Sequence, residues 1–109
     1  MDLQRVGNLL ARDQKYRPTK VIGIDVDGTL LINGKINEQL VKWCRNKKDN
    51  GFSLILWSAR GEKHAINIAK MAKIQDIFDH ILSKPGYIVD DQGWQWTKYT
   101  RINRSLENN

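Results

Sequence analysis

Short apolar runs alternating with stretches of helical periodicity set the expectations for this chain. Lys20 to Ile24 follows Pro18 and reads as a buried strand, and Phe52 to Trp57 is an almost wholly apolar run of the kind seen in strands covered on both faces. Between them, Asn37 is placed to cap a helix whose Leu40, Val41, Trp43 and Cys44 form one apolar stripe, and Gly51 stands where a C-terminal cap belongs. Gly28 to Gly34 predicts a turn or a short hairpin. Ala65, Ile68, Ala69 and Ala72 mark a second amphipathic helix that begins near Gly61 or Glu62. Ile77 to Leu82 supplies a third apolar segment, and Tyr87 to Val89 a fourth that runs directly into Asp90 and Asp91. Strand, helix and strand at these lengths imply right-handed parallel crossovers, so the alternation predicts an α/β domain with a mainly parallel sheet.

The two ends of the chain carry weaker patterns. Leu3, Val6, Leu9 and Leu10 recur at spacings of three and four and predict a short amphipathic helix within residues 1–18, docked on the domain or on a second copy. In the extension 94–109, Tyr99, Ile102 and Leu106 read as the inner face of a closing helix, with Trp94 and Trp96 covering the sheet edge. The same extension interleaves Trp94, Trp96 and Tyr99 with Lys98, Arg101 and Arg104, a mix that can stack on and neutralise single-stranded nucleic acid.

Composition changes this picture only in places. At 109 residues the chain fits one domain, 1–109, burying roughly 60 to 70% of its unfolded surface. No apolar stretch approaches the ~20 residues of a membrane span. The start of the chain lacks the pattern of a signal peptide, and the lone Cys44 reads as a small buried apolar residue in a reducing compartment, so a cytoplasmic location is expected. No Cys/His set has zinc-site spacing. With 18 Lys and Arg against 12 Asp and Glu, the net charge of +6 favours an anionic partner: a phosphorylated small molecule, nucleic acid or an acidic surface.

The polar residues that end the apolar runs carry the chemistry. Asp25 and Asp27 end the first run, Ser58 the second, Ser83 and Lys84 follow the third, and Asp90 with Asp91 end the fourth. In a parallel sheet those ends lie on one edge, where ligands gather. Two half-desolvated carboxylates need a cation or a proton to compensate them. A carboxylate nucleophile, groups that neutralise phosphoryl oxygens and an acid for the leaving oxygen are the needs of phosphoryl transfer, and Mg²⁺ is the natural cation between two carboxylates and a phosphate.

Asp25-Val26-Asp27-Gly28-Thr29-Leu30, then Leu56-Trp57-Ser58-Ala59-Arg60-Gly61, then Lys84-Pro85, then Ile88-Val89-Asp90-Asp91 resemble the four ordered motifs of the haloacid dehalogenase superfamily of phosphohydrolases, over about residues 20–92. The short spacing from Lys84 to Asp90 is similar to that of small phage and bacterial members. The resemblance implies a Rossmann-like three-layer sandwich with no cap domain, because one helix and one strand use up the stretch from Ser58 to Lys84. It implies Asp25 as nucleophile and metal ligand, and Asp27 as a metal ligand through its carbonyl and as acid/base through its side chain. Ser58 and Lys84 would meet the phosphoryl group, backbone amides at Ala59 and around Asp27 would cradle its oxygens, and Asp90 with Asp91 beside it would hold Mg²⁺. An uncapped site is open, which implies a large substrate or closure by a neighbouring subunit. A sugar phosphate or a nucleotide is the leading substrate class.

Other readings use the same residues. Asp-Gly is a common turn pair, Ser58 is placed to cap the next helix, and a lysine before proline is usually solvated. Arg60 reads either as a contact for a substrate phosphate or as a surface ion pair, and His64 as a residue on a solvated helix face. As whole functions, the alternatives are a phosphatase of nucleic-acid ends and a non-catalytic binding or regulatory protein with the same fold.

Overall fold

The computed structural model describes residues 18–104; the helix expected near the start of the chain, and Leu106, lie outside the described residues. In chain order the elements are β1 (Val21–Asp25), β2 (Leu31–Ile32), β3 (Lys35–Ile36), α1 (Glu38–Asp49), β4 (Ser53–Ser58), α2 (Glu62–Met71) and β5 (His80–Ser83), with short 3₁₀ turns at Gln75–Ile77 and Gly93–Tyr99. β1, β4 and β5 form a parallel sheet in that order, flanked by helices, which is the Rossmann-like α/β arrangement expected. Its register sets Asp25 beside Trp57 and Ser58 beside Ser83, so the three strands end level with one another. β2 and β3 are the predicted hairpin.

Local chemistry explains the boundaries. The Asn33-Gly34 turn of the hairpin has φ of 51° and 75°, the paired positive values that match the twist of two-residue hairpins. Asn37 Oδ1 accepts the Leu40 amide at 3.2 Å, capping α1 as the sequence predicts. α1 ends with Gly51 at φ 87° and the Phe52 amide bonded back to the Lys47 carbonyl at 3.0 Å. α2 ends in the same manner, with the Ile74 amide on the Ala69 carbonyl at 3.0 Å, but the left-handed position there is Lys73, at φ 58°.

The core gathers Ile24, Val26, Leu30, Leu54, Leu56 and Ile77 from the sheet side, against Leu40, Val41 and Cys44 of α1 and Ala65 and Ala69 of α2. The two alanines are fully buried, so α2 lies close on the sheet. Along β4, buried Leu54, Leu56 and Ser58 alternate with half-buried Ile55 and Trp57, so burial is deeper on one face than on the other. A Cβ on Gly23 would lie 2.8 Å from the Trp57 ring, which is why glycine stands in the middle of β1. Asp79 fixes the start of β5: its amide donates to the Leu54 carbonyl and its carboxylate accepts the Leu54 amide, each at 2.9 Å. Arg45 of α1 pairs with Asp76 at 2.9 Å and, chiefly through that hydrogen bond, holds its carboxyl below the usual range. Burial pushes the Cys44 thiol up to about 11, in keeping with an inert apolar role.

Two expectations are corrected. Tyr87 to Val89 does not form a strand: Tyr87 and Val89 are fully exposed, and the outer edge of β1 has no strand partner among the described residues. A run of three apolar residues just after Pro85 and Gly86 is too short for its pattern to decide between strand and loop. Among the described residues the closing helix does not form either, since Gly93–Tyr99 is a 3₁₀ turn, the chain is irregular from 100 to 104, and Ile102 is exposed; Trp94, expected to cover the sheet edge, is exposed as well.

The left-handed lysine gives a stability prediction. A non-glycine residue there costs about 1 kcal/mol, so Lys73→Gly should stabilise the fold by roughly that amount in urea unfolding. Equal or lower stability would show that the Lys73 side chain offsets the strain.

Candidate active site

β1 delivers Asp25 at its last position, and the chain then turns tightly: the Thr29 and Leu31 amides donate to the Val26 carbonyl at 3.2 and 2.9 Å, and the Leu30 amide to the Asp25 carbonyl at 3.2 Å. Gly28 permits this turn with φ 84°. Val26 and Leu30 are fully buried and anchor it, which holds Asp25 half-buried and Asp27 exposed.

The two carboxylates are met by separate cations. Lys84, just past β5, places Nζ 3.0 Å from Asp25 Oδ1, and the Thr29 hydroxyl donates to Asp25 Oδ2 at 3.2 Å. Lys84 is aimed there by its backbone, whose amide donates to the Ser58 carbonyl at 3.0 Å. Asp27 turns to the other side. Arg60 Nη1 lies 3.3 Å from its Oδ1, and His64 Nε2 lies 3.1 Å from Oδ2 and 3.3 Å from Oδ1. Both neighbours of Nε2 are acceptors when Asp27 is ionised, so that nitrogen carries the hydrogen.

Ser58 is 1% exposed and its hydroxyl accepts the Arg60 amide at 3.0 Å, leaving the hydroxyl proton to be donated. It does not cap α2. That task falls to Ser83 of β5, whose hydroxyl accepts the Glu62 amide at 2.9 Å, because Gly61 has no side chain to do so. Ala59 is exposed in the turn between β4 and α2. A cavity of about 550 Å³ opens beside Asp25 and Lys84, running along the outer edge of β1 between Ile22, Trp43, Arg101 and Arg104.

Of the residues chosen from sequence, the structure thus joins Asp25 with Lys84, Asp27 with Arg60, and Ser58 with the backbones of Arg60 and Lys84. It brings Asp90 and Asp91 into none of these contacts. Their carboxylates bond locally to Gln92, through its amide at 2.8 Å and its side chain at 3.0 Å. Sequence reasoning also assigned His64 to solvent, yet its side chain is only 20% exposed and touches Asp27. The four-residue spacing from Arg60, in the turn just before α2, was the available signal. Thr29, four residues after Asp25 within one turn, was another.

Among the described residues, no three His, Cys, Asp or Glu side chains gather closely enough to hold a metal ion. The donors that remain suit a modest demand. Asp25 offers carboxylate oxygen, and the turn's backbone bonds pass over the Asp27 carbonyl, going to Asp25, Val26 and Leu31 instead. Mg²⁺ keeps several waters and needs only one or two carboxylates with phosphate oxygens, so this hard-oxygen pair fits it.

A parallel α/β sheet with paired aspartates at its carboxyl edge, one clasped by a lysine that follows β5, two strands across the sheet, defines a hydrolase-type site. The description of haloacid dehalogenase-like hydrolases matches residues 22–108, and the chain belongs to that family. Comparison with curated proteins and with solved structures finds no match.

The cap supplied across the sheet can be tested directly. Ser83→Ala should cost about 1 kcal/mol in urea unfolding by leaving the Glu62 amide unpaired. No loss would show that water replaces the hydroxyl at the start of α2.

Proposed function

We propose that the chain is a Mg²⁺-dependent phosphomonoester hydrolase that works through an aspartyl phosphate on Asp25. The observation that carries this reading is Asp25 at the carboxyl end of β1, held between Lys84 and Thr29. In this scheme Asp25 Oδ attacks phosphorus, the bond from phosphorus to the ester oxygen breaks, and Asp27 gives its proton to the leaving oxygen. Water then attacks the phosphorus of the acyl phosphate while Asp27 takes up its proton, releasing inorganic phosphate and restoring Asp25. Lys84 offsets charge on Asp25 and the phosphoryl oxygens, and Ser58 donates its hydroxyl proton to one of those oxygens. Bound Mg²⁺, held by the Asp25 carboxylate and the Asp27 carbonyl, would supply further neutralisation of the phosphoryl charge.

We include Asp90, with Asp91 beside it, as a further Mg²⁺ ligand because of its place in the fourth motif; in the structure both carboxylates bond locally to Gln92. The open site suits a phosphorylated sugar or nucleotide, or closure by a second copy of the chain. A phosphatase of nucleic-acid ends is the second reading, favoured by Trp94, which is 79% exposed beside basic residues. Salt-sensitive binding of a phosphorylated oligonucleotide would select it.

Hydrolysis of an aryl phosphate should require Mg²⁺ and vanish in Asp25→Asn while circular dichroism stays native; retained turnover would refute the nucleophile. Asp90→Asn should raise the Mg²⁺ concentration for half-maximal activity by about tenfold. An unchanged requirement would mark Asp90 as a solvent-facing turn residue.

A further inference from the structure

We infer that Arg60 is a specificity residue that leaves Asp27 for a second anionic group on the substrate's leaving alcohol, while His64 stays to position the Asp27 carboxylate. The inference rests on the proposed acid/base role of Asp27. A carboxylate that protonates the leaving oxygen touches the leaving group, so the side chains bonded to that carboxylate lie on the leaving-group side. The transferred phosphoryl, by contrast, belongs to Asp25 and Lys84.

The two partners of Asp27 differ in how firmly they are held. His64 sits on α2, is 20% exposed, and spans both Asp27 oxygens at 3.1 and 3.3 Å. Arg60 has its amide fixed by Ser58, but its side chain is 67% exposed and makes a single contact at 3.3 Å. An exposed single-contact ion pair contributes ~0–1 kcal/mol, so a phosphate or carboxylate that offers a forked pair of oxygens can displace it. Asp27 then keeps a partner, and the guanidinium clamps the incoming group. The substrate class that follows is a small phosphomonoester whose alcohol bears a further anionic group close to the ester oxygen. The chain's excess of six positive charges draws such ligands in.

Matched esters test this by steady-state kinetics with Mg²⁺. 2-Phosphoglycerate and glycerol 2-phosphate differ by a carboxylate in place of a hydroxymethyl group; adenosine 3′,5′-bisphosphate and adenosine 5′-phosphate make the corresponding comparison for a phosphate. KM should be about tenfold lower for the anionic member of at least one pair, and which pair shows it tells whether carboxylate or phosphate is read. Arg60→Gln should collapse that preference, and Arg60→Lys should restore part of it. His64→Ala should lower kcat on both members alike and leave the KM ratio standing, a split that a loss of packing alone would not give. Equal KM values within both pairs, or a preference that survives Arg60→Gln, would overturn the inference while leaving the phosphatase reading in place. Failure to hydrolyse any of the four esters or an aryl phosphate would remove that reading and this inference together.

Discussion

Everything at this site follows from keeping two negative charges, two residues apart, from facing each other without compensation. Asp25 and Asp27 leave the end of β1 on either side of buried Val26, and the fold brings each its own cation from a different part of the chain. Lys84 comes from the end of β5; Arg60 and His64 come from the turn after β4 and from α2. Half-exposed ion pairs of this kind contribute ~0–1 kcal/mol to stability. Their arrangement therefore matters for chemistry more than for holding the fold, which depends on the apolar layer of β1, β4, α1 and α2 beneath them. Separate partners also set the carboxylates apart: one lies beside a lysine, the other beside an arginine and a histidine.

The core elements were legible because each has a long pattern and a mechanism at its ends. Asn37, the Leu40 to Cys44 stripe and Gly51 define α1 with no help from tertiary contacts, and the run through Leu54 and Leu56 is strand in both reading and structure. Asp25, Ser58 and Lys84 could be placed near one another from sequence because each stands at the end of such an element. What the sequence did not show depends on angles that only the assembled sheet sets. His64 reads as solvated until α2 is rotated into place by its buried Ala65 and Ala69, which turns the imidazole towards Asp27. Ser83 gave no sign of capping α2, because the partner amide lies 21 residues away in sequence.

The misreadings share a physical origin. Tyr87 to Val89 and the extension after Trp94 are short or mixed in pattern, so tertiary partners decide their conformation, and the described chain leaves both largely exposed. The outer edge of β1 is the place where this matters. Among the described residues it is an unpaired strand edge that ends in Asp25, with a cavity along it bounded by Trp43, Arg101 and Arg104. Whatever occupies that edge stands beside the proposed nucleophile.

The most direct test of the central claim is to quench the enzyme with acid during turnover of a phosphomonoester, reduce any acyl phosphate with borohydride and map the modified residue by peptide mass spectrometry. The account predicts conversion of Asp25 to homoserine, dependent on substrate, with Asp27 unmodified. Modification of Asp27 in its place, or turnover with neither aspartate modified, would contradict it.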